Sequence, residues 1–279
     1  MVEKTFKNSL FKVVEILGEY RSEVVFAGGW APLIYYHYLV GDKARTPLLT
    51  KEFDLMVGRR IRSRGISLNE ILRDAGLHPE PRDSSPHPAQ IYLGEIEGNH
   101  LELEFFTPMT GRGGDRAIEV QDNLLALPLR YADIIVSAAM EAVIDDHPLH
   151  SVTTPVILLA PSPEAFIFNK GLTFSRRQAA SKKEKDLYYI FDILARCPEL
   201  RKGILEELGA LKRSSASHAK WFKSFLKNMA DYLGGPYTKG INMVSRQRPP
   251  NALPGLDDQQ FRQHVFETFK EFIEELSLL

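Results

Sequence analysis

The sequence predicts a mixed α/β half followed by an all-helical half, and three observations carry that expectation. Short apolar or alternating runs, EVVFAGG, KEFDLMVG and IYLGEIEGNHLELEFFTP, alternate with helical periodicity in the first part of the chain. From Ser162 onward only helical spacing recurs. Two domains are the ordinary expectation for 279 residues, so the boundary is placed near 160, giving 1–160 and 161–279.

In the first half, Phe6, Leu10, Val13, Val14 and Leu17 recur at helical spacing and predict an amphipathic helix ending near Gly18 to Arg21. EVVFAGG reads as a buried strand entering a Gly-Gly turn. WAPLIYYHYLV, apolar all round, reads as a buried helix with Pro32 in its first turn, and Trp30 is expected to pack behind the glycine turn. GDKARTPLLT is a loop and KEFDLMVG a second strand. SLNEILRDAG carries a capping box, Ser67 with Glu70, and Gly76 at the helix end. HPEPRDSSPHPAQ reads as a proline-rich loop, and the run after it as a hairpin turning near Gly98 and Asn99. GRGGD is a loop and PVILLA the last strand of this half.

In the second half Ser162, Pro163 and Glu164 make a strong helix start. Helical patterns follow at about 163–174, 184–197, 199–211, 216–233 and 257–277. The stretch GGPYTKGINMVSRQRPPNALPG between the last two reads as a loop.

Bulk chemistry excludes several classes. The net charge of -1 supplies no global attraction to nucleic acid or anionic membranes. One cysteine, Cys197, admits neither an internal disulfide nor a thiolate zinc site. The charged N-terminus is unlike a signal peptide, and no window approaches the roughly 20 apolar residues of a membrane span. The expected setting is cytoplasmic, without membrane contact.

The chemistry concentrates in KEFDLMVG. Strand side chains alternate, so Glu52 and Asp54 share one face and Phe53 and Leu55 the other. Carboxylates so spaced suit hard divalent cations. HLELEFFTP offers a matching element, with Glu102 and Glu104 on one face. Were the two strands neighbours, a third carboxylate would complete a two-metal site of the kind that clamps attacking and leaving oxygens in phosphoryl transfer. Upstream, Gly28 and Gly29 offer backbone N–H groups at a strand-to-helix turn, a ready anion site. The turn is neither G-x-G-x-x-G, since Trp30 and Ala31 follow directly, nor a P-loop. The histidines show no metal-ligand spacing. RRIRSR, residues 59–64, is the most basic run and could steer RNA or polyphosphate by charge.

Taken together, strand, Gly-Gly, helix and acid-x-Asp strand resemble the nucleotidyltransferase superfamily of polymerase-beta type. That superfamily's fingerprint is hG[G/S], then [D/E]h[D/E]h, with a third acid on a later strand. FAGGWAPLIYYHYL…RTPLLTKEFDLMV is similar to the GGWA…RxTxDhDL version of antibiotic-modifying nucleotidyltransferases and abortive-infection toxins. The resemblance implies a nucleotidyltransferase-type mixed sheet with flanking helices, then a helical C-terminal domain. It implies that Gly28 and Gly29 cradle a triphosphate, that Glu52 and Asp54 bind metal, and that Glu104, with Glu102 as fallback, is the third acid. Lys51 or Arg45 would contact phosphate. SPEAFIFNKGLTFSRRQAASKKEKDLYYIFDIL resembles a segment of the toxin-like branch in which Lys170 contacts nucleotide phosphate while Lys185, Asp186 and Asp192 brace the cleft. The resemblance runs from about 24 to 195.

The function so implied is transfer of a nucleoside monophosphate from an NTP to a hydroxyl or phosphate acceptor, with two magnesium ions among Glu52, Asp54 and Glu104. The acceptor is RNA, protein or a small molecule, and the toxin-like branch admits an antitoxin-like partner. One departure stands out: the first acid of the pair is usually Asp, and here it is Glu52. The alternative is therefore a degenerate nucleotidyltransferase fold that binds nucleotide or a partner without catalysis.

Overall fold

A computed structural model describes residues 2–48, 50–82, 89–96, 98–111, 116–146, 155–250 and 252–279. The Phe6 side chain, the 83–88 part of the proline-rich run and the 112–115 part of GRGGD lie outside the described residues. The chain divides into two compact units, Met1–Ser162 and Pro163–Leu279.

The first unit opens with α1 (Val2–Leu17), whose Leu10, Val13, Val14 and Leu17 are fully buried. A 3-10 turn (Gly18–Ser22) leads to β1 (Val24–Phe26), buried throughout. The apolar run after the glycines is one continuous helical path with three pitches: a 3-10 turn at Gly28–Trp30, α2 (Ala31–Ile34) and a π-helix at Tyr35–Val40, ended by left-handed Gly41. Next come β2 (Glu52–Val57) and α3 (Leu68–Asp74). Both halves of the expected capping box are present at α3: Glu70 N–H donates to the Ser67 hydroxyl, and Ser67 N–H to the Glu70 carboxylate. Gly76 follows with φ +85.

β3 (His78–Arg82) corrects the proline-rich loop expected there. It pairs antiparallel with β4 (Ala89–Ile96), which turns at Gly98 into β5 (Asn99–Pro108). The sequence reading assigned no element to the next stretch, where β6 (Ile118–Gln121), β7 (Leu124–Leu129), α4 (Ala132–Ser137) and β8 (Ala139–Ile144) form. β9 (Val156–Pro161) closes the unit.

The strands form one mixed sheet, ordered β3-β4-β5-β2-β1-β9-β8, with β7 pairing both β5 and β6. The β2–β5 pair is parallel and the β1–β2 pair antiparallel. One face is the core: Phe53, Leu55, Tyr92, Leu103 and Phe105 pack with the buried residues of α1 and α3. Burying such side chains stabilises by roughly 1.5–3 kcal/mol each. The other face of β2 and β5 carries the acids.

The second unit is helical among its described residues: α5 (Pro163–Thr173), α6 (Ala180–Arg196), α7 (Pro198–Ser214), α8 (Ala216–Leu233), α9 (Lys239–Arg246) and α10 (Asp258–Leu278). α9 falls inside the stretch expected as loop. Its Ile241 and Val244 are fully buried, so packing stabilises a helix too short to persist alone. No helix among the described residues is long and apolar enough to cross a membrane.

Candidate active site

β2 and β5 are neighbours, and their register is specific: Glu52 stands opposite Glu102, and Asp54 opposite Glu104. The alternation expected from sequence is present, with Phe53 and Leu55 fully buried while Glu52 and Asp54 are half-buried. Four carboxylates therefore share one face of two adjacent strands. Glu104 is 3% exposed, unlike the half-buried Glu102, so the third acid sits in the least hydrated surroundings of the set. Like charges directly opposite one another destabilise a sheet. A cation between them would relieve that repulsion.

The glycine turn is locked onto this face. Ala27 N–H donates to the Asp54 carbonyl at 2.9 Å, and the Trp30 indole N–H to the Glu52 carbonyl at 3.0 Å. Trp30 also stacks on Phe53, with centroids 4.2 Å apart, and is 1% exposed, as expected of a residue behind the turn. Gly28 has φ +58, and a Cβ built there would stand 1.9 Å from Asp54 Oδ2. Only glycine fits: the conformation disfavours any side chain, and the Asp54 carboxylate fills the space one would need. Gly29 is buried in the same turn.

Among the described residues no three His, Cys, Asp or Glu side chains are gathered as a ready-made metal cage. Magnesium does not ask for one, being held through one or two carboxylates together with substrate phosphates and water. Hard oxygen donors at Asp54 and Glu104, paired in register beside a turn of backbone amides, fit that manner of binding.

A family described as nucleotidyltransferase matches residues 8–207 of this sequence. The chain belongs to that nucleotidyltransferase family. A crystal structure of an antigenic nucleotidyltransferase-like protein from Paracoccidioides brasiliensis is similar at 17% identity and a TM-score of 0.39, over 78% of this chain and 93% of that one. No curated protein matches.

The remaining expected site residues of this nucleotidyltransferase are placed as follows. Lys51 is exposed in the bend that enters β2. Arg45 pairs with Asp42 at 3.1 Å and lies over the Tyr36 ring, while its carbonyl is 2.9 Å from His37 Nε2. Of RRIRSR, Arg64 pairs with Glu23 at 3.0 Å and Arg59 donates to the Pro108 carbonyl. Lys170 and Asp186, both in the second unit, are 8% and 4% exposed and bind one another at 2.5 Å. Arg177 takes the second Asp186 oxygen at 2.9 Å, and Lys170 lies over the rings of Phe166 and Tyr189. Asp192 is fully buried and accepts from Arg196 at 3.2 Å.

Sequence reasoning missed Arg177, although Arg-Arg precedes KKEKD and an arginine could have been sought for a buried aspartate. A cavity of about 710 Å³ lies between α3 and β6–β7, lined by Ser67, Asn69, Arg73, Gln90, Glu119 and Asp122 among others. None of the β2 or β5 acids lines it.

Proposed function

We propose that this protein transfers a nucleoside monophosphate from an NTP to an acceptor hydroxyl, with magnesium held at Asp54 and Glu104 and assisted by Glu52. The observation that carries this reading is the parallel register of Asp54 with Glu104, directly against the Gly28 turn. Magnesium bound there would offset triphosphate charge and lower the pKa of the attacking oxygen.

The amides of Gly28 and Gly29, opening the helical path to Val40, orient the triphosphate. Lys51, free to extend from its bend, meets the phosphates as a mobile charge. Glu104, on the same face as Asp54, helps to hold the metal or accepts the acceptor's hydroxyl proton. The acceptor oxygen bonds to the α-phosphorus, the bond to the bridging oxygen breaks, and pyrophosphate leaves. Lys170 and Asp186 serve this reading by holding the second unit's helices in place.

A second reading, a nucleotide-binding module without catalysis, is favoured by Glu52 in place of the usual Asp. One assay separates them. The protein is incubated with magnesium, each labelled NTP, pooled tRNA and cell lysate, beside Asp54→Ala. Label transfer that vanishes in the variant supports the enzyme; NTP binding with no transfer to any acceptor sinks it.

A further inference from the structure

The cavity between α3 and β6–β7 takes no part in the transfer reading, and it lies on the other face of the sheet from the acids. Ile91 stands opposite Glu104, so Gln90 and Tyr92, one residue to either side, point to the face that packs with α3. The cavity's volume is about 710 Å³. That falls within the roughly 300–1,000 Å³ usual for small-molecule sites, which are mostly apolar inside. Here, among the described residues that line the cavity, only Leu125 has an apolar side chain.

One wall is made of groups that can only donate. Asn69 and Arg73 are four apart on α3 and share a face of it. Asn69 is 7% exposed, and its side-chain oxygen accepts from the Tyr92 hydroxyl at 2.8 Å and from Arg73 Nε at 3.4 Å. An arginine nitrogen cannot accept, so the contact with Arg73 fixes which end of the amide is oxygen. The NH2 end is left to the cavity, and among the described residues nothing accepts from it.

Gln90 repeats the arrangement. Its side-chain oxygen accepts from Leu125 N–H at 2.9 Å, and among the described residues its NH2 has no acceptor either. A single spare amide in a wet cleft is met by water. Two of them with their oxygens already engaged, beside the terminal nitrogens of an arginine, make a receptor for an acceptor-rich group. A carboxylate or a phosphate is that group, since arginine takes either through two parallel bonds.

The β6–β7 side has the opposite character. It contributes Glu119 and Asp122, and one Glu119 oxygen accepts from Asn123 N–H at 2.8 Å. Glu70, also in the lining, is engaged by the N–H and hydroxyl of Ser67 in the α3 cap. These carboxylates would repel a simple anion. A molecule that docks its anionic end on the donor wall must therefore bring a cation to the acids.

We infer that this cavity binds a zwitterionic small molecule, its carboxylate or phosphate on Asn69, Arg73 and Gln90 and its ammonium on Glu119 and Asp122. Held on the far face of the sheet from Asp54 and Glu104, it is a second ligand and not the acceptor of the transfer. The inference stands whether or not transfer occurs.

The test is isothermal titration of the full chain with two zwitterions, glycyl-leucine for the carboxylate form and O-phosphoethanolamine for the phosphate form. At least one should bind with a Kd of about 1 mM or below. Tighter glycyl-leucine assigns the anionic end to a carboxylate, and tighter O-phosphoethanolamine to a phosphate; either supports the inference. Of the singly charged relatives, N-acetylglycyl-leucine lacks the ammonium and glycyl-leucine methyl ester the carboxylate. Each should bind at least tenfold more weakly than glycyl-leucine.

Asn69→Asp keeps the oxygen that Tyr92 and Arg73 use and turns the NH2 into a second acceptor. It should weaken the better zwitterion at least tenfold. A thermal midpoint checks the fold, and Arg73→Gln, at an exposed position, gives the same reading should the aspartate unfold the chain. Glu119→Gln/Asp122→Asn should erase the preference for glycyl-leucine over its acetylated relative. Failure of both zwitterions to bind at millimolar concentration overturns the inference, as does unchanged affinity in Asn69→Asp and Arg73→Gln. Asp54→Asn should lose transfer and keep zwitterion binding; loss of binding there would place the ligand on the acid face and overturn it too.

Discussion

Gly28 has no room for a side chain because the Asp54 carboxylate occupies it: a Cβ there would lie 1.9 Å from Oδ2 and 2.7 Å from Cγ. The glycine turn and the acid strand thus act as one unit. Gly28→Ala should destabilise by roughly 2–4 kcal/mol, combining left-handed backbone strain with overpacking. Asp54→Ala removes the two nearest atoms, so the double variant should recover more than about 1 kcal/mol of that loss. Urea denaturation of the four proteins measures the coupling. Additive effects would show that the turn relaxes away from Asp54.

Asp54→Asn and Glu104→Gln each remove one charge from a like-charged cross-strand pair. Stability should be unchanged or slightly raised, by a few tenths of a kcal/mol. Transfer should fall at least 100-fold, on the order of the loss of an electrostatic stabiliser of the transition state. Glu52→Asp, restoring the family's usual acid, should keep activity, whereas Glu52→Ala should lose it. Calorimetry beside the labelled-NTP assay reads both quantities. A large loss of stability in Glu104→Gln would mark that acid as structural.

Lys170 and Asp186 test a different idea, that a lysine expected to meet phosphate is held in a buried pair. Asp186→Ala leaves Lys170 buried without its partner and should cost about 3–5 kcal/mol. Lys170→Met/Asp186→Ala should recover most of that, because an apolar pair of similar volume needs no counter-charge. Should Lys170→Met alone abolish NTP binding at unchanged stability, the residue's role is with the nucleotide.

Glu184 joins α6 to α9. The Arg246 side-chain bonds hold its carboxyl below the ordinary range, helped by Gln247 at 3.1 Å and opposed by partial burial. A lowered folded-state pKa contributes stability above the unfolded value, lost as pH falls through the folded one. The stabilisation should therefore be intact at pH 7 and decline below about pH 4. Glu184→Gln should lower the thermal midpoint at pH 7 and narrow its gap to wild type by pH 3.

Much of the candidate site's geometry was legible because its signals are local. The alternation of KEFDLMVG, the glycines before it and the Ser67–Glu70 box each depend on residues a few positions apart. Whether β2 touches β5 does not; fifty residues separate Asp54 from Glu104. β3 was hidden by its prolines. Pro79 and Pro81 are two apart, so both missing N–H groups point to the same side of the strand, and β3 is the edge strand of the sheet, where that side needs no partner. α9 was hidden by the glycines and prolines around it, although Ile241 and Val244 carry its helical spacing. The pairing of Lys170 with Asp186 was invisible because a buried charge and a solvated one are spelled the same way.

The parallel pairing of β2 with β5 has a consequence for how the candidate site is assembled. Parallel neighbours require a crossover, and here it runs through α3, β3 and β4 before β5 can dock. Asp54 and Glu104 come from the two ends of that excursion and are brought opposite one another by the docking of β5 on β2. On the reading proposed above, activity would require the completed sheet: a one-residue slip of β5 along β2 would bring Leu103 or Phe105, rather than Glu104, opposite Asp54.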